Sequence, residues 1–305
     1  MKRRRFIQAA GSVALGSAFL PGKGLGRDRP APLKAKDVNR FLRSLCEVGE
    51  PSCDRVIVGD PETVVTKMGT CWQPYWKTLR YAAEQGINTM VVHEPTFYSH
   101  WDLDKRTDRL WEATEASTQG YSRLIERKKS WIEEQGLVLV RSHDVMDKVP
   151  EFGMPFALGQ ALGFTNDDII RSRPYYNVYG IPPTPALDVA RRIAARLKIA
   201  DQPGVGFYGD PERPVESIGV GTGCICDPIR YMDLNPDLFL AIDDKVRTWI
   251  QTTYAEDTGH PLVIINHGTS EEFGMRLLNA RLRTAFPDYE IQHIDQGCGY
   301  KWVTA

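Results

Sequence analysis

Apolar and polar positions along the chain follow two periods. "ETVVTKMGTC" (62–71) is β-branched and apolar up to Gly69 and reads as a strand. Pro74 then opens a helix on which Trp76, Leu79 and Ala83 fall at i, i+3 and i+7. Gly86 stops it, and "INTMVV" (87–92) forms a second strand that ends at His93 and Glu94. Strand, helix and strand in that order predict a parallel sheet covered by helices. The pattern then recurs. Tyr121, Leu124, Ile125, Lys128, Trp131 and Ile132 trace a helical stripe with the Lys128 stem at its edge. After Gly136, "LVLV" (137–140) is a short buried-type strand leading to His143, Asp144 and Asp147. Further on, "GIPPTPALDVARRIAARLKI" (180–199) predicts a helix capped by Thr184, with Pro185 at its first position and Leu187, Ala190, Ala194 and Leu197 buried. "PLVIIN" (261–266) runs into His267 and a last helix with Leu278 and Leu282 on its apolar side.

The series repeats itself. "VIVGDPETVVTKMGTC" (56–71) and "GFYGDPERPVESIGVGTGC" (206–224) share an apolar entry, GDPE, a valine-bearing strand and a Gly/Thr/Cys turn. GDPE alone is turn chemistry, but the order continues: "MVVHE" and "LFLAIDD" both end in acids, and "LVLVRSH" and "LVIINH" both end in histidine. The chain therefore reads as two related α/β halves, each supplying one wall of a site. No long Gly/Ser linker separates them, which argues against freely swinging domains.

Three apolar strands thus run into a histidine, each with a carboxylate within four residues, at the strand ends where α/β sheets bind ligands. His93, Glu94, Asp147, His267 and Glu271 make a mixed nitrogen and oxygen donor set. It suits first-row divalent metals, with zinc, iron and manganese all compatible. Five such donors exceed one open tetrahedral zinc site and suffice for two ions sharing a bridging carboxylate. Glu94 carries weight because a carboxylate at a buried strand end is costly unless paired. Asp147 has a plainer reading as a helix or turn cap. Thr269 and Glu272 resemble a capping box, which leaves Glu271 free near His267. His143 reads as a residue beside the ligands that carries a proton, the one catalytic candidate. His260, before a strand, reads as exposed, and His293 alternates along the last strand.

Other chemistries lack their motifs. His93-Glu94 is followed by Pro95 and Phe97, so no H-E-x-x-H helix forms. There is no G-x-S-x-G elbow and no phosphate-binding glycine loop. A formal net charge of −1 gives no reason to expect nucleic acid as a partner. Six cysteines (46, 53, 71, 224, 226 and 298) form no C-x-x-C pair; a Cys46–Cys53 link and buried free thiols both fit the spacing. At the start, basic Lys2 to Arg5 precede the apolar Ala9 to Leu20, a run too short to span a bilayer. "RRRFIQ" resembles the twin-arginine export signal, so periplasmic or exported localisation is expected.

Four stretches carry a family resemblance. "VVHEP" looks like a strand ending in His-His-Pro, "SHDVMD" like H-x-x-x-D, "GDPERPVESIGVGTG" like a second-half strand and glycine turn, and "NHGTSE" like H-x-x-[ST]-E. They resemble the Nif-three-like, or NGG-interacting-factor-like, dinuclear metal-centre family, some bacterial members of which are labelled GTP cyclohydrolase type two. The resemblance implies two interlocked α/β halves with mostly parallel or mixed sheets, a metal site between them and a toroidal homo-hexamer. It implies two divalent ions held by His93, Asp147, His267 and Glu271, with His143 lining the site. Glu94 stands where the family usually has a second histidine, which hardens the site.

With that resemblance the chain divides into a signal peptide (1–27), a first half (28–150), a second half or insertion (151–250) and a C-terminal part (251–305) that completes the metal site and packs on the first half. The expected function is an exported metal-dependent hydrolase acting on a small molecule through metal-activated water. The family label implies nucleotide ring opening, but an exported protein would not meet cytosolic GTP. The other class is a non-catalytic, oligomeric metal-binding or metal-handling protein.

Overall fold

The first half opens with α1 (Ala35–Ser44), β1 (Val56–Val58), β2 (Lys67–Cys71), α2 (Trp76–Glu84) and β3 (Thr89–Val92). The chain continues through α3 (Glu115–Glu134), β4 (Val138–Arg141), α4 (Asp144–Lys148) and α5 (Met154–Ala161). The hairpin β5 (Ile169–Arg173) and β6 (Tyr176–Pro185) leads to α6 (Ala186–Leu197), β7 (Gly206–Tyr208) and β8 (Pro214–Val220). Last come α7 (Pro228–Tyr231), β9 (Leu238–Ile242), α8 (Thr253–Thr258), β10 (Leu262–Ile265), α9 (His267–Ala285) and β11 (Glu290–His293). This computed structural model describes residues 31–103, 115–221 and 223–303. The export-type segment at 1–27 lies outside the described residues.

The strands form two mixed sheets, ordered β1-β4-β3-β2-β11 and β5-β6-β8-β9-β10-β7. Each has a parallel centre, β2-β3-β4 in one and β8-β9-β10 in the other, and each adds the strand that precedes its centre antiparallel to β4 or β10. The repeated GDPE turn follows β1 and β7. Gly59 and Gly209 both sit at φ +89°, and a Cβ there would lie 2.7 Å from the Leu137 carbonyl oxygen in one case and 2.4 Å from that of His260 in the other. The first amides of α1 donate to Thr63 and Pro61 carbonyls, and those of α6 donate to Arg213 and Pro211 carbonyls. The two halves are thus related element by element. They differ at the outer edge, where β11 joins β2 in parallel but β6 joins β8 antiparallel.

Why the central strands read as continuous apolar runs follows from the packing. Val91, Val138 and Val140 face a core with Leu42 of α1 and Leu278 and Leu282 of α9. Met90, Val92 and Leu139 face the other way, against Leu79 of α2 and Ile132 of α3. Both faces are covered, so neither alternate set is polar. Each fully buried leucine contributes roughly 2 kcal/mol, so packing rather than intrinsic helicity holds these short helices. Residues 251–305 serve both sheets, with β10 in the second, β11 in the first and α9 against α5, β2 and β11.

Several local expectations change. On α3, Ile125 and Ile132 are buried but Tyr121 and Leu124 are exposed. Lys128 is no edge residue: its buried ammonium donates to the Pro74 and Thr96 carbonyls at 2.7 and 2.8 Å, and burial pushes its pKa down to about 8 despite Asp102. Helix α6 starts at Ala186. Thr184 donates to the Pro182 carbonyl instead of capping, because the GDPE turn already accepts the first helical amides. All six cysteines are free; buried Cys53 faces Asp144 and Cys46 faces the Glu47 carbonyl, so the Cys46–Cys53 link does not form. Among the described residues no helix is long and apolar enough to cross a membrane.

Candidate metal centre

The site assembles where strands of both sheets end. After β3 the backbone amides of His93 and Glu94 both donate to the Trp72 carbonyl at 3.2 and 2.9 Å, which fixes the turn before Pro95. After β4 the chain passes through Ser142 to His143 and enters α4. After β10 it passes through Asn266 to His267, the first residue of α9. That helix begins earlier than expected. Asn266 is its N-cap and accepts from the Thr269 amide, so the Thr269–Glu272 capping box does not form. Glu272 is instead fully buried and accepts from His293 Nε2 at 2.7 Å. The earlier start places His267 and Glu271 at i and i+4, one above the other on a single helical face.

All five expected ligand residues and His143 come together. The hub is Glu271 Oε2, which lies 3.2 Å from His93 Nε2, 3.0 Å from His267 Nε2 and 2.7 Å from the donating Trp72 Nε1. His267 Nε2 is also 3.2 Å from Glu94 Oε1, and His93 Nε2 is 3.8 Å from Asp147 Oδ1. His143 stacks on His93 with centroids 4.5 Å apart, and its Nδ1 lies 3.4 Å from Asp147 Oδ2 and 3.2 Å from Asp144 Oδ1.

Two imidazoles are set to donate electron pairs inward. His93 Nδ1 meets the Ser142 carbonyl at 3.0 Å, and a carbonyl only accepts, so the proton sits on Nδ1. His267 Nδ1 meets Asp244 Oδ2 at 2.7 Å with the same consequence. The Nε2 atoms of both rings are buried without a hydrogen bond. A lone pair on each then faces carboxylate oxygens at 3.0–3.2 Å, a repulsive arrangement unless a positive charge lies between them. The ionisation behaviour expresses that demand. Burial alone would depress His93 and His267, yet Glu271 outweighs it and raises both, His267 strongly. Burial would raise Glu271, but His267 and His93 hold it well below the usual carboxylate range. Burial likewise opposes and His267 enforces a lowered pKa at Glu94. His143 is raised well above normal because Asp147 and Asp144 outweigh its burial.

The surroundings fit a cation. Gly223, at φ +37°, leaves room beside the cluster: a Cβ would lie 2.1 Å from Glu271 Oε1 and 2.8 Å from His267 Nε2. His93, His143 and Asp147 form one group that could hold an ion, and His93, Glu94 and Glu271 form another. Cys53, His143 and Asp144 make a third grouping, and Glu272, His293 and Asp295 a fourth. Imidazole and carboxylate donors suit divalent first-row metals.

Some contributors escaped sequence reading. Trp72 ties together two ligand segments, the 93–94 turn through its carbonyl and α9 through its indole N–H and its ring, whose centroid lies 5.4 Å from that of His267. Its only signal was its place after the Cys71 strand end. Asp244 orients His267, and "LFLAIDD" did mark acids at that strand end. His100 lies edge-on to His143 at 5.2 Å. His260, expected at the surface, is buried against Phe239 and near Tyr254, and burial lowers its pKa to about 4.

Comparisons with known proteins bear on the family and the fold. The family model Duf34/NIF3 (NGG1p interacting factor 3) matches residues 34–296. No curated protein matches the chain in sequence. Among solved structures, the Staphylococcus aureus hypothetical protein SA1388 superposes with a TM-score of 0.68 at 19% identity, covering 90% of this chain and 100% of its own. Reduced HcgD from Methanocaldococcus jannaschii gives 0.64 at 18% identity, covering 86% and 98%. A Bacillus cereus protein related to NIF3 gives 0.68 at 11% identity, covering 90% and 100%. The fold is shared with all three, and the chain belongs to the Duf34/NIF3 family.

Proposed function

We propose that this Duf34/NIF3 protein holds two divalent ions in the cluster and acts as a metal-dependent hydrolase. The observation that carries the reading is Glu271 Oε2, which lies within 3.2 Å of the inward Nε2 atoms of both His93 and His267. His93 and Asp147 form one side, Glu94 and His267 the other, and Glu271 stands between them as the shared carboxylate. Zinc, iron and manganese all suit these donors. Ions bound there would supply Lewis acidity to a water and to a substrate oxygen. The protein's own part is orientation and proton traffic. Ser142 and Asp244 fix the two rings by their Nδ1 protons, and Trp72 holds the shared oxygen in place. His143 carries a proton at Nδ1, next to Asp144 and Asp147, and can pass it to or take it from a reacting group.

Metal content by elemental analysis tests the first part: two ions per chain in the wild type and one in Asp147→Ala, whereas a metal-free wild type would end the reading. Turnover of a panel of phosphoesters, nucleotides and cyclic amides tests the second. Rates that survive Glu94→Ala and His267→Ala unchanged would leave the non-catalytic metal-handling role in its place. The basic and apolar order of residues 1–27 supports export to the periplasm, checked by fractionation of cells expressing the full chain. Family membership supports a homo-hexamer, checked by light scattering.

A further inference from the structure

Beside the cluster lies a cavity of about 670 Å³ whose wall includes Asp147 and its neighbour Lys148. The opposite wall is the tip of the β5–β6 hairpin, Arg173 to Tyr176, and Phe156 of α5 closes an apolar side. The volume is that of a small-molecule site. Two features of the lining are specific. Lys148 Nζ stands 5.6 Å from the centroid of the Tyr175 ring, and Arg173 Cζ 5.1 Å from that of Tyr176. Arg173 is already paired with Asp233 at 3.0 Å, whereas the contact of Lys148 is the Tyr175 ring. Tyr175 follows Pro174 at φ +75°, a turn position where glycine is favoured. A tyrosine held there carries backbone strain, and its ring forms part of the cavity wall.

We infer that this cavity binds the aromatic ring of a small aryl phosphate, with Lys148 meeting its anionic group and Tyr175 and Phe156 enclosing the ring. The inference rests on the hydrolase reading of the adjoining cluster and narrows its substrate class. Flat apolar walls favour a ring over an alkyl chain, and a single ammonium at the cluster side favours a compact anion. Asp147 belongs to both sites, so an occupant of the cavity lies next to the ion-binding residues.

The test uses the metal-loaded full chain and two non-hydrolysable probes, phenylphosphonate and methylphosphonate, titrated by calorimetry. The wild type is expected to bind the phenyl probe roughly tenfold more tightly. Tyr175→Gly relieves the strained φ and so keeps the fold, yet should bring that preference close to one. Lys148→Met should weaken both probes by a similar factor, with metal content unchanged. Equal binding of the two probes by the wild type, binding of neither, or a preference that survives Tyr175→Gly would overturn the inference. Because phosphonates are not cleaved, ring-selective binding without turnover of 4-nitrophenyl phosphate would remove the hydrolase reading and leave the pocket standing.

Discussion

At the end of β4 the chain passes through Ser142 and His143 into a helix of five residues; at the end of β10 it passes through Asn266 into one of nineteen that begins with His267. Both junctions place an acid four residues after the histidine, Asp147 in the first and Glu271 in the second. The rings are used differently. His267 gives Nδ1 to Asp244 and turns Nε2 inward to Glu271 and Glu94, as a ligand would. His143 turns Nδ1 to two carboxylates, Asp144 and Asp147, as a proton carrier would. The acids differ by one methylene, and the longer one reaches His93 of the other half. The two equivalent turns thus differ in which ring nitrogen faces the acid four residues on, Nδ1 in His143 and Nε2 in His267.

The largest effect should come from Glu271, the acid proposed to bridge. Glu271→Ala removes the oxygen that both imidazoles face, so both ions should weaken, by more than about 100-fold in a chelator competition. Asp147→Ala removes the carboxylate beside His93 and His143 and should cost one ion while the other stays. Equal losses in the two variants would mean that the junctions are equivalent and that Glu271 bridges nothing.

The next contrast concerns how each junction is capped. Asp54, fully buried, accepts from the backbone amides of His143, Asp144 and Val145. Asn266 caps α9 through a 3.4 Å bond from Thr269 and also accepts from the Gly299 amide at 2.7 Å. Helix α4 is short, has only Val145 and Met146 as buried apolar anchors and relies on three amides held by one carboxylate, whereas α9 keeps Met275, Leu278 and Leu282 buried along its length. Asp54→Ala should therefore destabilise the metal-free protein by about 3 kcal/mol and Asn266→Ala by about 1 kcal/mol. Urea unfolding followed by circular dichroism compares them. A smaller loss at Asp54 than at Asn266 would show that α4 does not depend on its cap.

Much of this was legible in the sequence because local chemistry and global fold coincide there. The apolar runs before His93, His143 and His267 are strands buried on both faces, and the GDPE repeat marks the same glycine-led turn twice. Spacing alone brought His267 and Glu271 onto one helical face once Asn266, rather than Thr269, became the cap. What stayed hidden depends on contacts far apart in the chain. Trp72 reaches Glu271 across 199 positions, and Asp54 reaches Val145 across 91. Lys128 looked like an edge residue because the carbonyls that bury it, on Pro74 and Thr96, belong to other segments. Tertiary partners, not propensity, decided these cases.

A further contrast separates the halves away from the metal centre. The turn glycine lies over the Leu137 carbonyl in the first half and over the His260 carbonyl in the second, so a histidine stands where the other copy buries a leucine. Burial against Phe239 lowers the His260 pKa from 6.5 to about 4. Between those values the unfolded chain binds a proton that the folded chain refuses. Stability contributed by neutral His260 is therefore full above about pH 6.5 and is lost as pH falls toward 4. Allowing for the part of the ring that water reaches, the loss amounts to roughly 2 kcal/mol. Replacing His260 with leucine restores the first-half arrangement. Thermal melts of the metal-free wild type and His260→Leu at pH 7 and pH 5 should show the variant losing less on acidification. The raised imidazoles of the centre act in the opposite direction in both proteins, so they cancel in the difference. If the two melting temperatures fall in parallel, the ring is hydrated in solution and the halves are alike at this position.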